Sequence, residues 1–143
     1  MCSSDLLAQE RLKEDPGFAR ARMIPLKVSA PFHSRLMRPA SERLRPELAA
    51  ASESWATAGA ANVLSNVSGT WHRGDKAALV DALAAQVSAP VRWLDCMREL
   101  VTSCDRIVEV GPGKPLCGFF KSLDVAAVHV GDVEAAERLA AGG

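Results

Sequence analysis

Two short β-branched runs, Arg106 to Val110 and Ala126 to Val130, flank a stretch whose apolar residues keep helical spacing, and this order constrains the fold more than any other feature. Gly111-Pro112-Gly113 forces a turn after the first run, and Leu116, Phe119, Phe120 and Leu123 then fall on one helical face. Strands separated by helices argue for parallel pairing, since the helix carries the chain back to where a parallel neighbour can start. An α/β fold with a mainly parallel sheet is the expectation.

The same alternation is present upstream. Leu7 to Lys13 reads as the end of a helix closed by Asp15-Pro16-Gly17. Ile24, Leu26 and Val28 alternate with Pro25 and Lys27, the period of a strand over Met23 to Val28 with Pro25 at its start or on an edge. After Ser29-Ala30-Pro31, Leu36, Ala40, Leu44 and Leu48 recur every four residues, as in a helix starting near Ser34 or Leu36. Pro39 fits its first turn, but Pro46 would lie in the interior, which predicts a kink or an early stop near Arg45. Asn62 to Val67 is a further strand candidate, ended by Ser68-Gly69. A second helix is expected from near Asp75, with Leu79, Leu83 and Val87 as its stripe and Pro90 as its stop. A third runs from Trp93 to about Thr102, and Asp132 caps a closing helix through Leu139.

At 143 residues the chain is long enough for one domain, or one piece of one. Seventeen basic and seventeen acidic side chains cancel, so no overall field attracts nucleic acid or an anionic membrane. No apolar run approaches the roughly 20 residues that cross a bilayer, and a cytoplasmic location is expected. Cys2, Cys96, Cys104 and Cys117 form no CxxC pair and read as reduced structural thiols. With no closely spaced ligands among these and the three histidines, no metal site is expected.

His33 lies just past a predicted strand, where open α/β sheets place catalytic groups, and Phe32 beside it could exclude water and hold the imidazole near neutrality, as a general base requires. A hydrogen-bonded structural histidine fits the same position. His72, in a polar loop, and His129, in a short strand, have no neighbour that would position them and receive no role. Gly111-Pro112-Gly113-Lys114 resembles a phosphate cradle only loosely and reads as a structural turn. No GxSxG elbow is present, and Ser34, adjacent to His33, reads as an N-cap rather than as its nucleophile. Gln86 closes the second helix, where carbonyls without helical partners could orient a ring, or could simply meet solvent.

Ile24-Pro25-Leu26-Lys27-Val28-Ser29-Ala30-Pro31-Phe32-His33-Ser34-Arg35-Leu36-Met37-Arg38-Pro39-Ala40 closely resembles the histidine segment of malonyl-CoA:acyl carrier protein transacylases. The resemblance continues in order through Leu64-Ser65-Asn66-Val67-Ser68-Gly69, through Gln86 to Trp93 as Gln-x-x-x-Pro-Val-x-Trp, and through Val108-Glu109-Val110-Gly111-Pro112-Gly113-Lys114. It covers roughly Ala19 to Asp124. The family resemblance implies an α/β-hydrolase-like large domain carrying a small ferredoxin-like subdomain, of which this chain would be the C-terminal part. Residues 21–143 would then belong to the large domain. Residues 1–20 would be a non-native start, Met1 to Leu6, and a remnant helix of the small subdomain.

Carried over by motif, His33 resembles the general base of a ping-pong Ser/His transfer of malonyl from malonyl-CoA to the phosphopantetheine thiol of acyl carrier protein. Gln86 resembles the residue whose main-chain carbonyl orients that histidine, and Phe32 the aromatic that disfavours a methyl branch at the substrate's α-carbon. Asn66 and Arg22 resemble positions near the pantetheine and phosphate path. The implied partners are malonyl-CoA, as substrate, and acyl carrier protein; no cofactor, nucleic acid or membrane is implied. The family's serine, oxyanion loop and carboxylate-binding arginine would lie upstream of Met1, so the chain alone is expected to be inactive. An acyltransferase domain of a polyketide synthase, a non-catalytic α/β binding module presenting Gly111 to Lys114, and a cysteine-based acyl enzyme using Cys117 with His33 are the alternatives.

Overall fold

The computed structural model describes residues 10–18 and 30–142 and divides the chain into two compact units, Met1–Ala30 and Pro31–Gly143. In the first, residues 10–14 are helical. Asp15 Oδ1 accepts the Gly17 N–H at 2.8 Å and the Asp15 carbonyl accepts that of Phe18 at 2.9 Å, so the Asp-Pro-Gly signal closes this helix in a 3-10 turn, Pro16–Phe18. The strand expected over Met23 to Val28, the Arg22 site and the boundary expected after residue 20 lie outside the described residues.

The second unit opens with a 3-10 turn, Arg35–Met37, that leads into helix α1, Arg38–Ser52. Pro39 sits in the first helical turn as expected, but α1 continues past Pro46 to Ser52, so of the kink or early stop expected near Arg45 the stop does not occur. The reason is tertiary. Helix α2, Lys76–Gln86, lies antiparallel along α1: Ser41 Oγ donates to the Ala84 carbonyl at 2.5 Å, Arg45 pairs with Asp81, and Lys76 Nζ donates to the Glu53 carbonyl at 2.7 Å. Contacts on both sides of the proline outweigh the roughly 3 kcal/mol that an interior proline costs. Asp75 Oδ1 caps α2 through the Ala78 N–H at 2.7 Å, and α2 buries Leu79, Val80 and Ala84.

The segment expected as a strand over Asn62 to Val67 is not one. It holds the end of a 3-10 turn, Ala60–Asn62, and an isolated antiparallel bridge, Leu64 with Trp71. Its polar groups bond locally, Ser65 N–H to the Thr70 carbonyl at 2.9 Å and Gly69 N–H to the Ser65 carbonyl at 2.8 Å, so the chain turns back before a ladder can grow. Trp71 Nε1 fastens the loop to helix α3, Trp93–Ser103, through Glu99 Oε1 at 2.6 Å.

Strand β1, Ile107–Val110, pairs in parallel with β2, Ala127–Val130, in the register Ile107 with Ala127 to Val110 with Val130. Helix α4, Pro115–Lys121, forms the crossover. Helix α5, Val133–Ala141, follows, capped by Asp132 Oδ1 on the Ala135 N–H at 2.7 Å. These two strands are the sheet among the described residues. Cys96 and Met97 of α3, Phe120 of α4 and Val130 of β2 are buried with the α2 residues, and Trp93 meets Phe120 edge to face at 6.3 Å.

Candidate active site

His33 occupies the turn after Pro31 with φ at 60°, the left-handed region, which for a residue with a Cβ costs about 1–2 kcal/mol. The surrounding bonds determine why it stays there. On its own side, Ser34 Oγ donates to the Pro31 carbonyl at 2.7 Å and accepts the Leu36 N–H at 3.3 Å, and Met37 N–H donates to the Ser34 carbonyl at 3.0 Å. Ser34 is thus the N-cap its type suggests. From across the fold, the Val87 carbonyl accepts the His33 N–H at 3.1 Å, and the Ala89 carbonyl lies 3.2 Å from Nδ1. A carbonyl oxygen can only accept, so Nδ1 carries a proton, and in the neutral ring Nε2 is then the atom with the lone pair.

The carbonyl on the ring belongs to Ala89, where the resemblance implied Gln86. Gln86 is the last residue of α2, and Ala89 precedes Pro90, whose ring disfavours the helical region for it. Phe32 and His33 are both exposed in this chain, Phe32 by 56%. Asn66 is half-buried on a turn, and its carbonyl accepts the Arg92 N–H at 2.7 Å. Two open clefts, one bordered by Cys117, Lys121 and Asp124 and the other by Arg92, Asp95 and Arg98, do not include His33.

The Gly-Pro-Gly-Lys turn is structural. Gly111 and Gly113 have φ of 133° and 78°, conformations that favour glycine, and Gly111 N–H bonds the Val130 carbonyl at 3.0 Å. The N–H groups of Leu116 and Cys117, which a phosphate would need, already meet the Glu109 carboxylate at 3.0 and 2.7 Å. Burial alone would push the Glu109 carboxyl up, but those N–H donors, the Cys117 thiol and the charge of His129 together hold it below the usual range. A bound anion would confront this carboxylate, which removes the phosphate-module reading. The hydrogen bond to Glu109, reinforced by burial and by that negative charge, pushes the Cys117 thiol up, the opposite of what an acyl-enzyme cysteine needs. Burial likewise raises the Cys96 thiol. Cys96, Cys104 and Cys117 are free thiols, and no cluster of three metal-ligating side chains occurs among the described residues. No described helix is long and apolar enough to cross a membrane.

A parallel strand pair joined by a crossover helix, with an imidazole held on a turn by backbone carbonyls, defines an α/β segment. Comparison with known proteins makes the class particular. The chain is 37% identical over 134 residues to the malonyl CoA-acyl carrier protein transacylase of Bacillus subtilis (strain 168), covering 92% of this chain and 40% of that protein. It is 39% identical over 120 residues to the enzyme of the same name from Mycobacterium bovis, covering 81% of this chain and 37% of that protein. Among solved structures, the MCAT of Streptococcus pneumoniae superposes with a TM-score of 0.68 at 32% identity, over 92% of this chain and 42% of that one. The acyl-carrier-protein S-malonyltransferase of Burkholderia pseudomallei 1710b gives 0.67 at 32% identity, over 83% and 38%. No family model matches the chain. By sequence and by fold, the chain is similar to part of malonyl CoA-acyl carrier protein transacylases and spans 40% of the length of the Bacillus subtilis relative.

Proposed function

We propose that this chain supplies the histidine-bearing part of a cytoplasmic enzyme that moves malonyl from malonyl-CoA to the phosphopantetheine thiol of acyl carrier protein in fatty acid biosynthesis. The observation that carries this reading is the imidazole of His33, held at Nδ1 by the Ala89 carbonyl so that Nε2 is left as a base. A seryl hydroxyl from outside this sequence gives its proton to Nε2 as its oxygen bonds to the malonyl carbonyl carbon. The C–S bond then breaks, and the departing coenzyme A thiolate takes the proton from the imidazolium. In the second half, the phosphopantetheine thiol gives its proton to Nε2 and attacks the seryl ester, and the serine oxygen leaves with that proton. The Ala89 carbonyl dipole faces the charge that develops on the ring, a place held by a carboxylate in a serine triad.

In this reading Phe32, next to the base, crowds the acyl α-carbon and favours malonyl over methylmalonyl. Asn66 and Arg22 flank the pantetheine and phosphate path. Gln86 ends α2 and so fixes where the Val87 and Ala89 carbonyls emerge. Malonyl-CoA is a substrate, and the chemistry calls for no cofactor.

The sequence contains no GxSxG, so the chain by itself is inactive in this account. The test is to join it to the part of the Bacillus subtilis relative outside the matched segment and to assay malonyl transfer to the carrier thiol. Transfer is expected, and His33→Ala in the hybrid lowers kcat by ~100-fold or more, the lower range for loss of a general base. A folded His33→Ala hybrid with unchanged kcat would remove His33 from the chemistry.

A further inference from the structure

In the parallel ladder His129 of β2 stands opposite Glu109 of β1, so the two side chains share one face of the sheet. Both reach past the end of β1 to the turn that follows. The Glu109 carboxylate holds the far end of that turn, at the Leu116 and Cys117 N–H groups. The His129 ring holds the near end, with Nε2 at 2.9 Å from the Gly111 carbonyl. That carbonyl can only accept, so Nε2 carries a proton. Gly111 is thereby bound to β2 at both of its polar groups, the N–H by the Val130 carbonyl at 3.0 Å and the carbonyl by the ring. Room for the ring comes from Gly131, where a Cβ would stand 2.7 Å from His129 Cε1. Gly131 is not one of the glycines with positive φ, so the ring, and not the backbone conformation, is what excludes a side chain there.

We infer that His129 is a conformational latch: its Nε2–H, donated to the Gly111 carbonyl, holds the Gly-Pro-Gly-Lys turn down on β2, and Gly131 leaves the space in which the ring lies. With the latch shut, the turn delivers the first N–H groups of α4 to Glu109. With the ring withdrawn, Gly111 and Gly113 have the backbone freedom to let the turn lift, and the start of α4 opens to water. His129 is half-buried and Glu109 is buried, so the two grips on the turn are shielded from competing solvent. The inference concerns β1, β2 and α4 and stands apart from the acyl-transfer reading of His33.

The experiment is backbone amide hydrogen exchange of the 143-residue chain, read at Gly111, Leu116 and Cys117, with the Gly69 N–H, held by the Ser65 carbonyl, as the reference outside the turn. In His129→Phe, which keeps a ring and removes the donor, exchange at the three turn sites is expected to rise about 3- to 10-fold, the effect of losing one hydrogen bond, while Gly69 is unchanged. His129→Gln, whose amide N–H stands near the place of Nε2, stays close to the wild-type rates. Gly131→Ala, which keeps His129 but displaces its ring, matches His129→Phe. Equal acceleration at all four sites would mean that the ring supports the fold and not the turn, and it overturns the inference, as does unchanged exchange in His129→Phe. A 1H–15N spectrum of the wild-type imidazoles needs no variant to fold: a neutral His129 ring with its proton on Nδ1 overturns the inference directly.

Discussion

The Glu109 carboxylate accepts the Cys117 N–H at 2.7 Å, so a side chain on β1 caps the helix that follows it. Its second oxygen takes the Leu116 N–H at 3.0 Å, and strand, turn and helix are thereby closed into one unit. An ionised carboxylate at this helix start satisfies two N–H groups that have no intrahelical partner.

Glu109 therefore ties stability to pH. Its carboxyl is held below the usual range in the folded chain, so above about pH 4.3, the ordinary glutamate value, both states are ionised and the full contribution is present. As pH falls toward the folded value, the unfolded chain takes up the proton first and that contribution is lost. Glu109→Gln is expected to unfold at lower urea concentration at pH 7 and to show a shallower loss of stability below about pH 4.3 than the wild type. Equal slopes in acid would contradict this.

Pro46 stands exposed inside α1, where it denies a hydrogen bond to the Glu42 carbonyl. Pro46→Ala should raise the unfolding free energy by about 1–3 kcal/mol, seen as a higher urea midpoint at constant slope.

Gly69 has φ of 74°, and a Cβ there would sit 2.6 Å from Asp95 Cβ. Gly69→Ala is expected to cost about 2 kcal/mol or more, from the left-handed backbone and the clash together, and the urea midpoint checks it.

Two substitutions at His33 separate its backbone from its ring. Both His33→Ala and His33→Gly delete the imidazole, but only glycine relaxes the φ of 60°. His33→Gly should be the more stable of the two by about 1 kcal/mol in denaturant titrations, while both abolish general-base catalysis in an active hybrid.

The helices and the parallel strand pair were legible in the sequence because each has a local signal: Asp75 and Asp132 as caps, the Gly111-Pro112-Gly113 turn, and β-branched runs of strand length. The course of α1 through Pro46 was not, because what overrides the proline is the contact that α2 makes with Ser41, Arg45 and Glu53 across separations of 43, 36 and 23 residues. The turn at Asn62 to Val67 was missed for a related reason. Its composition suits a strand, and only the bonds of Ser65 and Gly69 reveal that it folds back. At the candidate site, the motif singled out His33, and only the fold brings the Ala89 carbonyl to its ring.

His33 and Ala89 are 56 residues apart, whereas Glu109 and Cys117 are separated by only eight. Closing the longer loop carries the greater entropic cost, so the imidazole is expected to meet its carbonyl after the Glu109 cap has formed. Any condition that loosens the pair of helices α1 and α2 is expected to free the His33 ring before the crossover unit opens.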